Sequence, residues 1–215
     1  MSATKRPLSL LTFVFALCIA NIVTAAAPYD AVCVVSVRHS KKEASGGSGV
    51  YVGNLDNSAV VLTCKHVAER VGDRAILTFG KIQYEGTVAA VHPVLDAAFI
   101  VCSIPAGVEP APFARELPSP DLEPFVLCGY PGPDRSRLYY QIGRYLELND
   151  QFLTVSCEPI PGMSGGACFN RQGEVTGLVA MYNDRNHTGL CTAGKTFVIW
   201  ADAYLTGGPI PEGTP

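Results

Sequence analysis

The segment Gly162-Met163-Ser164-Gly165-Gly166 sets a serine hydroxyl between glycines, and a hydroxyl held on such a turn can serve as an acyl-transfer nucleophile. Glycine accepts positive φ and lets a reacting acyl group come close. The N–H groups of Gly162 and Ser164 can also converge on an oxyanion. The pentapeptide alone fits an ordinary glycine-rich hairpin with a passive serine equally well. A serine hydroxyl further needs a general base within hydrogen-bond reach, normally an imidazole, and that imidazole needs a carboxylate to fix its tautomer. Of the four histidines, only His66 ends a strand-like run, 59–66, at a strand-to-helix corner. His39, His92 and His187 read as surface histidines without a role. Asp96 stands directly before the apolar run 97–102, at the edge of buried structure. A carboxylate there needs a partner, although it can also cap its own turn.

These residues need a frame, and the sequence points to β-structure. Short β-rich runs alternate with Gly, Pro, Asn and Asp, and little repeats at helical period. Six runs (31–37, 49–53, 59–63, 75–79, 82–91, 97–102) precede a proline-rich stretch over 105–124 that reads as a linker. Six more follow it: 125–130, 138–148, 152–157, 166–169, 175–182 and 196–200. Two equal groups predict an all-β protein of two packed six-stranded antiparallel barrels, with a single sandwich as the competing architecture. Helix is expected for a turn or two after His66 and around 201–205.

Residues 1–26 have the parts of a secretory signal peptide: Lys5-Arg6, the apolar run 8–20, and small residues up to Ala26. An uncleaved anchor is the alternative, but the run is shorter than the roughly 20 residues a spanning helix needs. A secreted or periplasmic product without a stable membrane anchor is expected. About 190 residues then remain, enough for one domain with a sizeable core, and loss of two cations moves the formal charge from −3 to −5. No basic run is left, which argues against nucleic acid and anionic membrane surfaces as partners. Seven cysteines remain beyond Cys18, an odd number that implies at least one free thiol. Several lie in apolar runs, where a cysteine serves as a small buried hydrophobe. With no zinc-finger spacing and no His-Glu-x-x-His, no metal site is expected.

The order His66, Asp96, Ser164, with the first two in the first barrel and the serine in the second, resembles the trypsin-like (chymotrypsin-fold) serine peptidases. The matching segments are 47–52, 60–67, 96–101, 162–166 and 173–179. The short loops and the Gly47-Ser48-Gly49-Val50 opening resemble bacterial-type members, such as the protease domain of Do-type peptidases without a PDZ domain. The resemblance implies a trypsin-like peptidase domain over 27–205, its first barrel at about 30–104 and its second at 125–205; the tail over 206–215 has no apolar pattern and is expected to be disordered. It implies a serine endopeptidase acting on protein or peptide substrates through an acyl-enzyme, with no cofactor. Ser164 would attack, His66 would carry the proton, Asp96 would orient His66, and the Gly162 and Ser164 N–H groups would hold the oxyanion.

Departures from the family are equally specific. Met163 stands where digestive members carry the aspartate used in zymogen activation, so no such switch is expected. Ala180 stands where a serine commonly supports the catalytic aspartate, and Cys64 where a small residue is usual, which makes it a candidate for the free thiol. The primary pocket is expected to involve Glu158, Ala180, Met181, Tyr182 and Lys195. If Glu158 and Lys195 face each other they neutralise one another, while Tyr182 narrows the pocket towards small residues. By position, Cys157 with Cys191 and Cys128 with Cys168 are the plausible disulfides. Two other readings compete. A Gly-x-Ser-x-Gly elbow would make this an esterase of another fold, but there the acid and histidine follow the serine. A non-catalytic binding protein on a peptidase fold usually lacks a triad member, whereas this chain has all three.

Overall fold

The computed structural model describes residues 28–40, 43–116, 124–133 and 135–208. The expected signal peptide, the linker residues 117–123 and most of the 206–215 tail lie outside them. Twelve strands form two closed antiparallel barrels. The first comprises β1 (Val32–Arg38), β2 (Ala44–Leu55), β3 (Ser58–Thr63), β4 (Arg74–Phe79), β5 (Ile82–Val91) and β6 (Ala98–Ser103), closing in the order β1-β2-β3-β6-β5-β4. The second comprises β7 (Pro124–Gly129), β8 (Tyr139–Leu148), β9 (Phe152–Val155), β10 (Ala167–Phe169), β11 (Val175–Asn183) and β12 (Thr188–Thr192), closing as β10-β11-β12-β9-β8-β7. Closure removes every sheet edge, and alternate residues fill each interior. This excludes both the single sandwich and the esterase elbow.

One element differs from expectation. Residues 196–200 are not a strand but part of helix α1 (Lys195–Leu205), and the sixth strand of the second barrel is β12. The run Phe197-Val198-Ile199-Trp200 is β-prone by residue type. Yet its buried members are Phe197, Trp200 and Ala201, a helical spacing that lays one face on the first barrel. Trp200 and Tyr204 both stack on Phe99, at 4.5 and 4.0 Å between ring centroids. Tertiary burial overrides local propensity here. No helix of the described residues is long and apolar enough to cross a membrane.

The seven described cysteines are all free thiols, which overturns the expected disulfides. Cys168 lies opposite Leu127 while its neighbour Ala167 lies opposite Cys128. One step of register puts Cys128 and Cys168 on opposite faces of the sheet, and they join different core clusters. Cys191 lies opposite Leu153, short of Cys157 beyond the end of β9. Burial pushes the Cys157 and Cys128 thiols up to about 12, so both remain protonated and inert.

Candidate active site

Strand β3 stops at Thr63 and the chain turns at once, the Val67 and Ala68 N–H groups both closing on the Cys64 carbonyl at 3.1 Å. This single turn carries His66. A half-buried network holds it: the Ser45 hydroxyl meets the Val67 carbonyl at 2.5 Å and His39 Nε2 at 2.8 Å, and His39 Nδ1 lies 2.6 Å from Asp73. The His39 side chain is only 9% exposed, so it is not a surface histidine. His92 is buried as well. Its Nδ1 accepts the N–H groups of Val94 and Leu95 at 3.1 and 2.9 Å, shaping the turn that leads into Asp96. Burial, and then the charge of Lys65, holds the His92 ring below its ordinary pKa, which suits a neutral acceptor. His187 alone of the three is exposed.

Asp96 grips His66 at two points: Oδ1 accepts the His66 backbone N–H at 3.0 Å and Oδ2 pairs with Nδ1 at 2.8 Å. The second barrel holds the aspartate in turn, through a hydrogen bond from the Thr192 hydroxyl to its carbonyl at 3.1 Å. The hydrogen bond to Asp96 raises the His66 pKa against the opposing effect of burial. Burial alone would raise the Asp96 carboxyl, but the side-chain and backbone hydrogen bonds of His66 outweigh it and leave the carboxyl below its ordinary value. The Cys64 thiol is fully buried and donates to the Val179 carbonyl at 3.2 Å. Burial first, and then the Asp96 charge, pushes its pKa well up. Donor atoms of Cys64, His66 and Asp96 lie within 4.8 Å of one another. The thiol and imidazole are engaged with the Val179 carbonyl and the Asp96 carboxylate, so the trio is a hydrogen-bonded cluster first.

Ser164 sits on a turn pressed into the first barrel. Gly162 and Gly165 take φ of 98° and 83°, and neither could carry a side chain. A Cβ on Gly165 would stand 2.3 Å from Thr63 Oγ1 and 3.0 Å from the Cys64 nitrogen, so the turn abuts the residues leading to His66. Ser48, fully buried, ties the barrels together here. Its N–H donates to the Ser164 carbonyl at 2.7 Å, and its hydroxyl donates to the Gly162 carbonyl at 3.0 Å while accepting the Tyr130 N–H at 2.8 Å. Neighbouring N–H groups are spent inside the turn, Met163 on Ile160 and Gly166 on Met163. Among the described residues, the Gly162 and Ser164 N–H groups have no acceptor. The Ser164 hydroxyl donates to the Ala180 carbonyl at 3.4 Å, not to His66.

A cavity of about 130 Å³ opens beside Ser164, lined by Pro159, Ile160, Val179, Ala180, Met181 and Tyr182 among others. Ala180, Met181 and Tyr182 thus line a cavity that Ser164 shares. Glu158 and Lys195 do not line it. Lys195 opens α1 and is exposed, and Glu158 pairs with His187 at 3.1 Å rather than with Lys195.

The family of the trypsin-like peptidase domain matches residues 47–178. The chain belongs to this family. In fold it is similar to the serine endoprotease of Yersinia pestis, at 22% identity and a TM-score of 0.67 over 86% of this chain and 65% of that one. The chain thus spans slightly less than two thirds of that protease's length. The active form of the Rv3671c protease of M. tuberculosis shares 21% identity at a TM-score of 0.66, over 91% and 88% of the two chains. Its inactive form gives 23% and 0.61, over 90% and 96%. No curated protein matches the chain.

Proposed function

We propose that the protein is an exported serine endopeptidase that cleaves peptide bonds through an acyl-enzyme. The observation that carries this reading is the two-point grip of Asp96 on His66. By accepting a hydrogen bond from Nδ1–H, the carboxylate fixes the tautomer in which Nε2 is the acceptor, and among the described residues Nε2 has no partner. As substrate enters, the Ser164 hydroxyl leaves its long bond to Ala180 and passes its proton to His66 Nε2 while Oγ attacks the scissile carbonyl. Such contacts commonly tighten only in the substrate complex. The uncommitted Gly162 and Ser164 N–H groups receive the oxyanion. His66 then gives its proton to the leaving amine, and water repeats the sequence to release the acid. Residues 1–26 would direct export, leaving the double-barrel domain over 27–205 as the working unit.

Two observations favour a non-catalytic binding role instead. Ala180 offers Asp96 no hydroxyl, and the Ser164 hydroxyl points to a carbonyl.

The pH profile separates the two. His66 must be neutral to accept the proton, and its pKa is raised above 6.5 by Asp96. Peptide hydrolysis should therefore rise with pH and level off above a midpoint higher than 6.5. A midpoint at or below that value would mean that the Asp96 contact does not govern the base. Absence of hydrolysis at any pH from folded protein would favour the binding role.

A further inference from the structure

Outside the proposed catalytic centre the structure holds a second series of the same residue types, Asp73, His39 and Ser45, whose proton order runs the opposite way. The Ser45 hydroxyl has a single proton and places it on the Val67 carbonyl at 2.5 Å, a group that can only accept. His39 Nε2, 2.8 Å from the same hydroxyl oxygen, is then the donor to it. Nδ1 faces the Asp73 carboxylate at 2.6 Å, which accepts as well. Both ring nitrogens of His39 therefore donate, and Ser45 receives a hydrogen where a nucleophile would give one up. Ser45 is a support, not a second nucleophile.

What the series supports is the turn that carries His66. Asp73 is fixed by its backbone, its N–H on the Arg70 carbonyl at 3.2 Å and its carbonyl on the Val88 N–H at 3.0 Å. The His39 N–H closes the β1 to β2 connection on the Glu43 carbonyl at 3.0 Å. From this anchored end the contacts run through His39 and Ser45 to the Val67 carbonyl, which has no other hydrogen-bond partner among the described residues. Val67 directly follows His66. Two residues beyond Ser45, a Cβ on Gly47 would stand 2.7 Å from a Val67 methyl carbon and 2.5 Å from the Ser164 carbonyl oxygen. Ser48 then donates its N–H to that same Ser164 carbonyl at 2.7 Å. Residues 45–48 of β2 thus hold the His66 turn at one end and the Ser164 turn at the other. We propose that His39 is a positioning residue for hydrolysis, setting the approach of His66 to Ser164 through Ser45 and Val67. The inference rests on the peptidase reading above and adds to it a group that touches neither substrate nor the reacting atoms.

The test measures kcat and KM for a cleavable peptide in Ser45→Ala, His39→Ala and His39→Gln, with kcat taken per active site titrated by a fluorophosphonate. That titration removes any loss due to unfolded molecules. Ser45→Ala frees the Val67 carbonyl, and a displacement of about 1 Å at a reacting group costs about a hundredfold. Both alanine variants should therefore lose about tenfold to a hundredfold in kcat with KM unchanged, and the fluorophosphonate rate at Ser164 should fall by the same factor. His39→Gln keeps an N–H donor for Ser45 and should recover most of the loss. Because the two residues act in one chain of contacts, the double alanine variant should lose no more than the worse single variant. If His39→Ala does not fold, Ser45→Ala carries the test, since it removes only one hydroxyl. An unchanged kcat in folded Ser45→Ala, a loss expressed in KM alone, or fluorophosphonate attached to Ser45 would overturn this inference and leave the peptidase reading standing. No cleavage by the folded parent would overturn the peptidase reading, and this inference with it.

Discussion

Ser164→Ala should lower kcat/KM for a cleavable peptide by about 10⁵ to 10⁶-fold, the loss seen when a triad nucleophile is removed. The fold should survive the change. The hydroxyl makes one long hydrogen bond, at 3.4 Å, and the turn is held by backbone contacts from Ser48 and between Gly166 and Met163. At most about 1 kcal/mol is at stake, which corresponds to a melting temperature within about 2 to 4 °C of the parent. A large kinetic loss with near-native melting is the signature of a group used in chemistry. Retention of more than about a tenth of the activity would assign the reaction to some other group.

Asp96→Asn should cost about 10⁴-fold in kcat. The replacement can keep its Oδ1 contact with the His66 backbone N–H, now 3.0 Å. At the Oδ2 position, however, an amide nitrogen would present hydrogens to Nδ1. The imidazole would then carry its proton on Nε2, where it cannot accept one from Ser164. The His66 pKa should fall as well, because the Asp96 hydrogen bond is the chief cause of its elevation. An NMR titration of His66 beside the kinetics distinguishes this from a general loss of structure. A loss below about tenfold, or an unshifted titration, would show that Asp96 does not set the state of His66.

The sequence is most legible where local pattern and final environment agree. The β-rich runs around His66 and Asp96 occur as β3 and β6 because their apolar residues fill the first barrel from both flanks. The glycines around Ser164 are readable since only glycine tolerates the positive φ of that turn. The failures are equally physical. Leu190 is the only large apolar residue of β12, beside the small Cys191, and its strand character comes from pairing with β9 and β11, which no local pattern carries. Phe197 to Trp200 looks like strand but becomes helix through its contact with Phe99. His39 and Asp73 are 34 residues apart in sequence, and His92 serves by accepting backbone N–H groups at Nδ1, so nothing near either histidine marks it as buried. Ser48 was visible in the Gly47-Ser48-Gly49 opening, but its role as the tie between the barrels depends on Gly162 and Tyr130, far along the chain. Thiol pairing by position failed for want of register.

The central claim is that Ser164 is a nucleophile activated by the His66 and Asp96 pair. The most direct measurement treats the folded protein with a fluorophosphonate and locates the adduct by peptide mass spectrometry, with Ser164→Ala and Asp96→Asn alongside. The account predicts stoichiometric modification of Ser164 in the parent, none in Ser164→Ala, and a much slower reaction in Asp96→Asn. An unmodified Ser164 in a folded parent, or equal labelling rates in the parent and Asp96→Asn, would contradict it.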